Sequence, residues 1–182
     1  MSIVYLSLGS NKENRLNYLK FAIEHINSEL GDIIAISDIW ESESWNYSDN
    51  DYLNLTIKLK SELTPQEILK KTQNIEKKLG RTNKTKFING KAKYSSRTID
   101  IDILFYDNEI INSKNLIIPH PNLHLRMFVL KPLLQITSEF VHPIFKKNIK
   151  QLIKECKDDG KIEIFKENFQ KELLFNLQNS KK

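Results

Sequence analysis

The segment Arg97-Thr98-Ile99-Asp100-Ile101-Asp102-Ile103 alternates apolar and acidic residues. Because successive side chains of a β-strand point to opposite faces, the isoleucines share one face, and Asp100 and Asp102 share the other. The isoleucine face predicts burial in a core, and the strand should extend over residues 98–106. Two carboxylates this close repel each other unless a cation lies between them, and Mg²⁺ binds carboxylates together with water and phosphates. The segment therefore predicts a strand that carries a metal site, with an acidic, solvent-facing strand as the simpler alternative.

Hydrophobic periodicity elsewhere predicts a chain of alternating strands and helices. We expect strands at residues 3–8, 33–40 and 52–60 and helices at 13–30, 64–79 and about 123–134. The polar segments 41–51 and 82–96 should be loops. A turn at Asp107-Asn108 should lead into a hairpin, and one or two helices should follow residue 146.

The order of these elements is β-α-β-β-α-β, which is the ferredoxin-like pattern, with helices packed on one face of an antiparallel-rich sheet. We therefore expect an α+β fold, a ferredoxin-like sandwich with an extra hairpin and C-terminal helices. The length of 182 residues favours a single domain over residues 1–182. Residues from about 146 to 182 would form a polar, partly helical extension.

The composition favours a soluble protein of the cytoplasm. The single cysteine, Cys156, excludes an internal disulfide and a cysteine-based zinc site. No apolar run is long enough to cross a bilayer. The first residues lack the basic stretch that begins a signal peptide. We expect no membrane partner and a reducing, cytoplasmic location.

Positive charge is concentrated in one part of the chain. The whole sequence has a net charge of +5, but residues 70–97 hold ten basic residues and one acidic residue, a net charge of +9. Such a field would attract a polyphosphate. The alternative is a lysine-rich helix face in water, followed by a mobile loop.

The use of arginine is more selective than the use of lysine, since there are 24 lysines and four arginines. The planar guanidinium binds phosphate oxygens in pairs, which an ammonium group cannot do. The arginines therefore merit inspection as phosphate ligands. They are Arg15, Arg81, Arg97 and Arg126.

Two further groups of residues have a plausible binding role. Tyr52 and Asn54 alternate along a predicted strand and so share a face, where a ring and an amide could hold a flat heterocycle. Their alternative is a tyrosine at a sheet edge and an asparagine that ends a strand. His120, between two prolines, could bind phosphate or titrate near neutral pH, although a lone histidine is more often structural.

Taken in order, several motifs resemble one family, the 6-hydroxymethyl-7,8-dihydropterin pyrophosphokinases of folate biosynthesis. The resemblance covers about residues 3–145, and the Arg-Thr-x-Asp-x-Asp string within the ordered set is its most specific part. The motifs are Tyr5-Leu6-Ser7-Leu8-Gly9-Ser10-Asn11, Asp51-Tyr52-Leu53-Asn54, Gln73-Asn74-Ile75-Glu76, Gly80-Arg81, Arg97-Thr98-Ile99-Asp100-Ile101-Asp102 and Pro119-His120.

The resemblance implies transfer of pyrophosphate from ATP to the hydroxymethyl group of the pterin, with release of AMP. It implies small-molecule substrates, no nucleic-acid partner, and a monomer or weak dimer. Two Mg²⁺ ions would be held by Asp100 and Asp102. Arg81 would be a mobile catalytic cation.

The same resemblance implies the remaining site residues. The catalytic set would be Arg81, Arg97, Asp100 and Asp102. The ATP site would include Gln73, Glu76, Lys84, Arg97, Ile103, His120 and Arg126. The pterin site would include Gly9, Ser42, Trp45, Tyr52, Asn54 and Phe128, with Tyr52 and Phe128 on either side of the ring. The family's second loop arginine corresponds to Asn83 here, and Lys84 or Lys86 would supply its charge.

Two other functions fit parts of the pattern. A nucleic-acid-binding module would use the basic segment for phosphates and Tyr52 or Phe105 as stacking platforms. Against this, Phe105 is expected on the isoleucine face, and two exposed carboxylates would repel a polyanion. The other alternative is a different Mg²⁺-dependent nucleotide transferase.

Overall fold

The computed structural model describes residues 1–44, 50–81 and 97–167, together with the backbone of two short strands at 86–88 and 91–93. The strands are β1 (Ser2–Ser10), β2 (Asp32–Ile36), β3 (Ile39–Ser42), β4 (Tyr52–Ser61), β5 (Lys86–Ile88), β6 (Lys91–Lys93), β7 (Asp100–Tyr106), β8 (Ile111–Asn112), β9 (Ile117–Ile118) and β10 (Ile162–Lys166). The α-helices are α1 (Arg15–Glu29), α2 (Pro65–Lys78), α3 (Met127–Ile136) and α4 (Ile149–Glu155), and a 3₁₀ helix covers Leu123–Leu125.

The main sheet is antiparallel and has the order β10-β3-β4-β1-β7, with β2 also paired to β4. The predicted strand 33–40 is in fact two strands, because Ser37 and Asp38 interrupt it. The Ser37 N–H donates to the Thr56 carbonyl at 2.9 Å, and the Ser37 hydroxyl accepts the Thr56 N–H at 2.9 Å. A side chain thus replaces one backbone partner, and the chain bends there without losing contact with β4.

Helices α1 and α2 cover one face of the sheet, as the periodicity predicts. Ile23 and Ile26 of α1 and Ile75 of α2 are fully buried in the core on this face. Each such side chain contributes roughly 1.5–3 kcal/mol through burial. Thr64 and Glu67 are three residues apart, a pattern that predicts a capping box, and they form one at the start of α2.

Gly31 is needed where α1 turns into β2. It has a φ of +147°, and a Cβ at this position would lie 2.1 Å from the Lys60 carbonyl oxygen. A side chain cannot fit there, so the close approach of α1 to the end of β4 requires glycine.

The other face of the sheet is covered too, which corrects the expectation of helices on one face only. Tyr5 of β1 points away from the first core and packs with Leu130 and Leu133 of α3 and Leu152 of α4. Thr56 shows why the sequence did not indicate this second layer. A polar residue at its position looks solvent-facing in the sequence, but its side chain is fully buried. The main sheet therefore lies between two layers of helices.

Strand β7 contains a bulge that changes which face its residues occupy. Leu6 is paired with Ile103 and Tyr5 with Phe105, so Leu104 is an extra residue. Ile101 and Ile103 lie in the first core as predicted, but Phe105 lies in the second and contacts the Tyr5 ring edge-on at 6.0 Å between centroids. The expected placement of Phe105 on the isoleucine face is wrong. With 1% of its surface exposed, Phe105 is also no stacking platform for a nucleic acid.

Two connections differ from the sequence-based expectation. The chain turns at Asp107, but the next strand, β8, pairs with β9 rather than returning along β7. Within the predicted loop 82–96, β5 and β6 pair in antiparallel fashion, with Phe87 opposite Ala92.

Residues 146–167 of the C-terminal part contain one helix, α4, and then an unpredicted strand. This strand, β10, adds to the edge of the main sheet beside β3, with Ile162 opposite Ser42. The expected second helix would fall on residues 168–182, which lie outside the described part. None of the described helices combines the length and apolar character needed to traverse a lipid bilayer.

Candidate active site

Small residues in the middle of the sheet leave room for a cavity on the face opposite α1 and α2. Gly9 of β1 lies between Asn54 on β4 and Asp100 on β7, and Ser7 lies opposite Asp102. A Cβ on Gly9 would come within 3.3 Å of the Asn54 amide oxygen and 3.5 Å of the Tyr52 ring. The strand register therefore places the two aspartates on one side of β1 and the Tyr52–Asn54 pair on the other. The small residues Ser7 and Gly9 leave the space between them open.

The first cavity lies above these residues of β1, β4 and β7. It encloses about 600 Å³, open solvent at its mouth included. It is lined by Ser7, Gly9, Ser42, Glu43, Tyr52, Asn54, Arg97, Asp100, Asp102, Arg126 and Phe128. Asn54 is almost fully buried, and its amide nitrogen donates to the Ser42 hydroxyl at 3.0 Å, which fixes the orientation of the amide.

Asp100 is held between two arginines. Arg81 Nη1 lies 2.6 Å from Asp100 Oδ1, and Arg97 Nη1 donates to Asp100 Oδ2. Arg81 also pairs with Glu76, whose Oε1 accepts the Ile101 backbone N–H at 2.8 Å. Burial, and next the charge of Asp100, raise the pKa of Glu76 to about 7. Glu76 thus ties α2 to the backbone between the two aspartates.

Asp102 has looser neighbours. Its Oδ2 lies 3.8 Å from His120 Nε2 and 4.0 Å from Arg126 Nη1, and 38% of its side chain is exposed. Burial of the carboxyl, and next the charge of Asp100, raise the pKa of Asp102 to about 7. Such a carboxylate is poorly neutralised, and added positive charge would favour its ionised form.

His120 is held as a neutral donor. Burial, and next the charge of Arg126, lower the pKa of His120 to about 4. Its Nδ1 accepts the Asn122 backbone N–H at 3.2 Å. The hydrogen-bond network therefore assigns the ring proton to Nε2, the nitrogen that faces Asp102.

A second cavity lies along the outer edge of β7. It encloses about 630 Å³, again with open solvent included, and is lined by Leu69, Ile101, Asp102, Ile103, Lys114, Asn115, Leu116, Ile117, His120 and Pro121. Among the residues that the structure describes, Asp102 is the one that lines both this cavity and the first. The two cavities therefore meet at a carboxylate.

Among the described side chains, no group of three or more His, Cys, Asp or Glu residues is arranged to hold a metal ion. A site for Mg²⁺ does not need one, because this ion usually binds one or two carboxylates and completes its shell with water and phosphates. Asp100 and Asp102 share a face as predicted, and the Asp102 carboxylate lies 3.8 Å from His120 and 4.0 Å from Arg126, which leaves its oxygens without a close cation. These two carboxylates fit such an ion.

A family model describes the part of the chain that builds both cavities. The model of 7,8-dihydro-6-hydroxymethylpterin-pyrophosphokinase (HPPK) matches residues 5–138. This span is more than half of the chain and includes every residue that lines the two cavities.

The chain belongs to the HPPK family.

Curated relatives agree with this HPPK assignment over most of the chain. The 2-amino-4-hydroxy-6-hydroxymethyldihydropteridine pyrophosphokinase of Aquifex aeolicus is 42% identical over 152 residues, which are 83% of this chain and 90% of that protein. The protein of the same name from Haemophilus influenzae is 34% identical over 90% of this chain and 99% of its own length. The folic acid synthesis protein fol1 of Pneumocystis carinii is 42% identical, but the match covers only 18% of that longer protein.

Solved structures share the fold. A crystal structure of HPPK-DHPS in complex with substrates has a TM-score of 0.64 and 17% identity, and the match covers 85% of this chain and 43% of that one. Plasmodium falciparum HPPK-DHPS, wild type with pteroate, has a TM-score of 0.68 and 17% identity, with 85% and 42% covered. This chain thus spans less than half the length of these solved chains.

The structure of this HPPK brings most of the predicted site residues together. Ile103 and His120 line the second cavity, and the predicted pterin-site residues within the described part line the first. Glu76 is buried behind the aspartates, and Gln73 is exposed on α2 and lines neither cavity. Trp45 and Lys84 lie outside the described residues.

Sequence reasoning missed two supporting residues of this HPPK, Ser10 and Asn11, which were considered only as part of a short Gly-Ser-Asn motif. The Ser10 hydroxyl donates to the Thr98 carbonyl at 2.6 Å, and the Asn11 amide nitrogen donates to the Asn50 carbonyl at 3.3 Å. Both side chains are fully buried. Two polar residues that end a buried strand were the available signal, since buried polar groups require partners.

Proposed function

We propose that this HPPK transfers the terminal diphosphate of ATP to the hydroxymethyl oxygen of 6-hydroxymethyl-7,8-dihydropterin, giving AMP and the pterin diphosphate for folate biosynthesis. The observation that carries the assignment to this site is the junction of two cavities at Asp102. A transfer between two substrates needs a place for each and a shared point where the reacting atoms meet.

The first cavity suits the pterin. Tyr52 and Phe128 offer aromatic surface to a flat ring, and the fixed amide of Asn54 offers its oxygen as an acceptor to the ring edge, because its nitrogen donates to Ser42 and to the Tyr52 carbonyl. Because Gly9 has no side chain, a flat ring can lie against β1 at this position. Ser42 and Trp45 are proposed to complete the pocket.

The second cavity suits the nucleotide. It follows β7, which ends the order of strands in the main sheet, and an edge strand presents backbone donors and acceptors that an adenine can use near Ile103. His120 Nε2–H and Arg126 point to where the phosphates would pass toward Asp102. Gln73 and Lys84 are proposed to reach the nucleotide from α2 and the segment after it. Glu76 would act through the Ile101 backbone.

Asp100 and Asp102 are proposed to hold two Mg²⁺ ions. The ions would neutralise phosphate charge and align the diphosphate with the pterin hydroxyl. Arg81 and Arg97 neutralise Asp100 in the structure. We propose that their guanidinium groups bind phosphate oxygens once ATP is present, with Arg81 acting on the transferring group.

The reaction balances without a further reactant. The hydroxymethyl oxygen forms a bond to the β-phosphorus of ATP, the bond from that phosphorus to the α–β bridging oxygen breaks, and the hydroxyl proton is released. Catalysis then depends mainly on alignment and on neutralising charge. Both requirements match a site of fixed arginines and carboxylates.

The same proposal extends to the type of fold, the oligomeric state and the cellular location of the protein. The order β7-β1-β4-β3 with antiparallel neighbours corresponds to the 4-1-3-2 arrangement of a ferredoxin-like sheet. We propose a monomer or weak dimer as the active form. We propose that it works in the cytoplasm, where ATP is available.

The test is to incubate the protein with ATP, Mg²⁺ and 6-hydroxymethyl-7,8-dihydropterin and to identify the nucleotide product. AMP in equal amount to pterin diphosphate is expected. A 6-methyl-dihydropterin, which lacks the accepting oxygen, is the matched control and should give no AMP. Formation of ADP with the hydroxymethyl substrate would contradict pyrophosphoryl transfer.

A further inference from the structure

Helix α3 begins without a cap from its own sequence. Its N-cap residue, Arg126, makes no side-chain capping bond. The N–H of the first helical residue, Met127, instead donates to Asp158 Oδ2 at 2.8 Å. Asp158 lies in the turn between α4 and β10, so a residue from the C-terminal part caps a helix that begins 31 positions earlier. A carboxylate at this end also interacts favourably with the helix dipole.

The capped peptide lies between two residues of the proposed active site. Arg126 precedes Met127 and reaches to within 4.0 Å of Asp102. Phe128 follows it, lines the first cavity, and lies under the Arg126 guanidinium at 5.7 Å from the ring centroid. Any shift of the Met127 peptide would therefore move both side chains.

The turn that carries Asp158 is itself fixed. Asp158 Oδ1 accepts the Gly160 N–H at 3.2 Å, so each carboxylate oxygen has a partner. Immediately after the turn, the Lys161 carbonyl accepts the Glu43 N–H at 3.3 Å, and Ile162 pairs with Ser42. The turn therefore connects the Ser42–Glu43 wall of the first cavity to the Phe128 wall.

We propose that Asp158 is a positioning residue for the transfer reaction, which fixes Arg126 and Phe128 against the opposite wall and thereby sets the affinity for the pterin. This rests on the proposed function of the first cavity. Asp158 lines neither of the two cavities assigned to the substrates, so its effect should appear in the pterin KM rather than in kcat.

The test compares five variants with the wild-type protein by steady-state kinetics at saturating ATP, with thermal unfolding as a check of folding. Asp158→Ala should raise the pterin KM about tenfold, as expected for loss of a charge-assisted hydrogen bond. Its kcat should stay within about threefold of the wild-type value. Asp158→Asn, whose amide oxygen can still accept the Met127 N–H, should restore the KM to within about threefold of the wild type. Asp159→Ala removes an adjacent exposed carboxylate and should leave the KM unchanged.

Met127→Pro breaks the same bond from the donor side. Proline suits the first helical position, and the extended conformation of Arg126 is compatible with a following proline. This variant should raise the pterin KM as Asp158→Ala does. It also decides the matter if Asp158→Ala fails to fold.

A wild-type pterin KM in folded Asp158→Ala or Met127→Pro would overturn the proposal, whatever the change in melting temperature. An Asn variant as impaired as the Ala variant would also overturn it. Phe128→Ala, measured in parallel, separates this failure from failure of the proposed function. An unchanged KM in Phe128→Ala would mean that the first cavity does not bind the pterin.

Discussion

Asn11 forms hydrogen bonds with both backbone polar groups of Arg97. The Asn11 side-chain oxygen accepts the Arg97 N–H at 2.7 Å, and the Asn11 N–H donates to the Arg97 carbonyl at 3.2 Å. The end of β1 therefore fixes the backbone from which the Arg97 guanidinium reaches Asp100.

We expect Asn11→Ala to lower kcat about tenfold and the stability by about 1–3 kcal/mol, because the Arg97 N–H loses its side-chain acceptor. Ser10→Ala is the matched variant, since Ser10 is equally buried but bonds Thr98, one residue farther along. It should lose stability and keep kcat. Product formation and urea unfolding measure the two effects, and equal kcat losses in both variants would contradict a specific role for the Arg97 contact.

Asp100→Ala and Asp102→Ala should each reduce turnover by at least about a thousandfold, because each removes half of the proposed metal-binding charge. Neither aspartate packs in a hydrophobic core, so both variants should fold. The measurement is AMP formation, with circular dichroism to check folding. Glu109→Ala, which removes an exposed acidic residue from the turn after β7, is the control. Wild-type turnover in either aspartate variant would refute the mechanism.

Gly9→Ala should raise the pterin KM several-fold with little change in the KM for ATP. The new methyl group would lie 3.3 Å from the Asn54 oxygen and 3.5 Å from the Tyr52 ring, so it would crowd the residues proposed to hold the pterin. Gly9→Val should strengthen the effect. The two KM values come from separate titrations of each substrate, and a larger change for ATP would show that the first cavity is assigned to the wrong substrate.

His142 should make the protein sensitive to acid. Burial, and next the nearby His124, lower the pKa of His142 to about 4 from an ordinary value of 6.5. The unfolded chain then binds the proton more readily than the folded protein. Its contribution to stability is therefore complete above about pH 6.5 and is lost as the pH falls toward 4, by roughly 1–3 kcal/mol.

His142→Asn isolates this effect. The His142 Nδ1 accepts the N–H groups of Ile144 and Phe145 at 3.2 and 3.3 Å, and an asparagine oxygen can take its place. Urea unfolding at pH 7 and pH 4.5 should show a smaller difference for the variant than for the wild type. An equal difference would mean that His142 does not cause the acid sensitivity.

Local sequence patterns predicted most of the features that depend on a single helix or strand. The alternation in residues 98–103 placed Asp100 and Asp102 on one face, and the capping pattern at Thr64 marked the start of α2. Pairing between strands that lie far apart in the sequence was harder to predict. The bulge at Leu104 depends on how β1 and β7 align, and nothing in the local alternation around Phe105 indicates it.

The same limit applies to the site. The family motifs identified the residues that face the substrates, but not the residues that support them from elsewhere in the chain. Asp158 lies in a polar segment with no motif, and its partner is a backbone N–H that any residue at position 127 except proline would provide. Contacts of this kind leave little trace in a sequence, because one of the two groups is not a side chain.

The position of β10 has a consequence for the synthesis of the protein. Ser42 is made early, whereas Ile162, its neighbour in the sheet, leaves the ribosome long after the other strands of the main sheet. Until then the outer edge of β3 offers its backbone to any extended chain nearby. A nascent chain can therefore assemble the aspartate strand and both helical layers before β10 is made and covers this edge of the sheet.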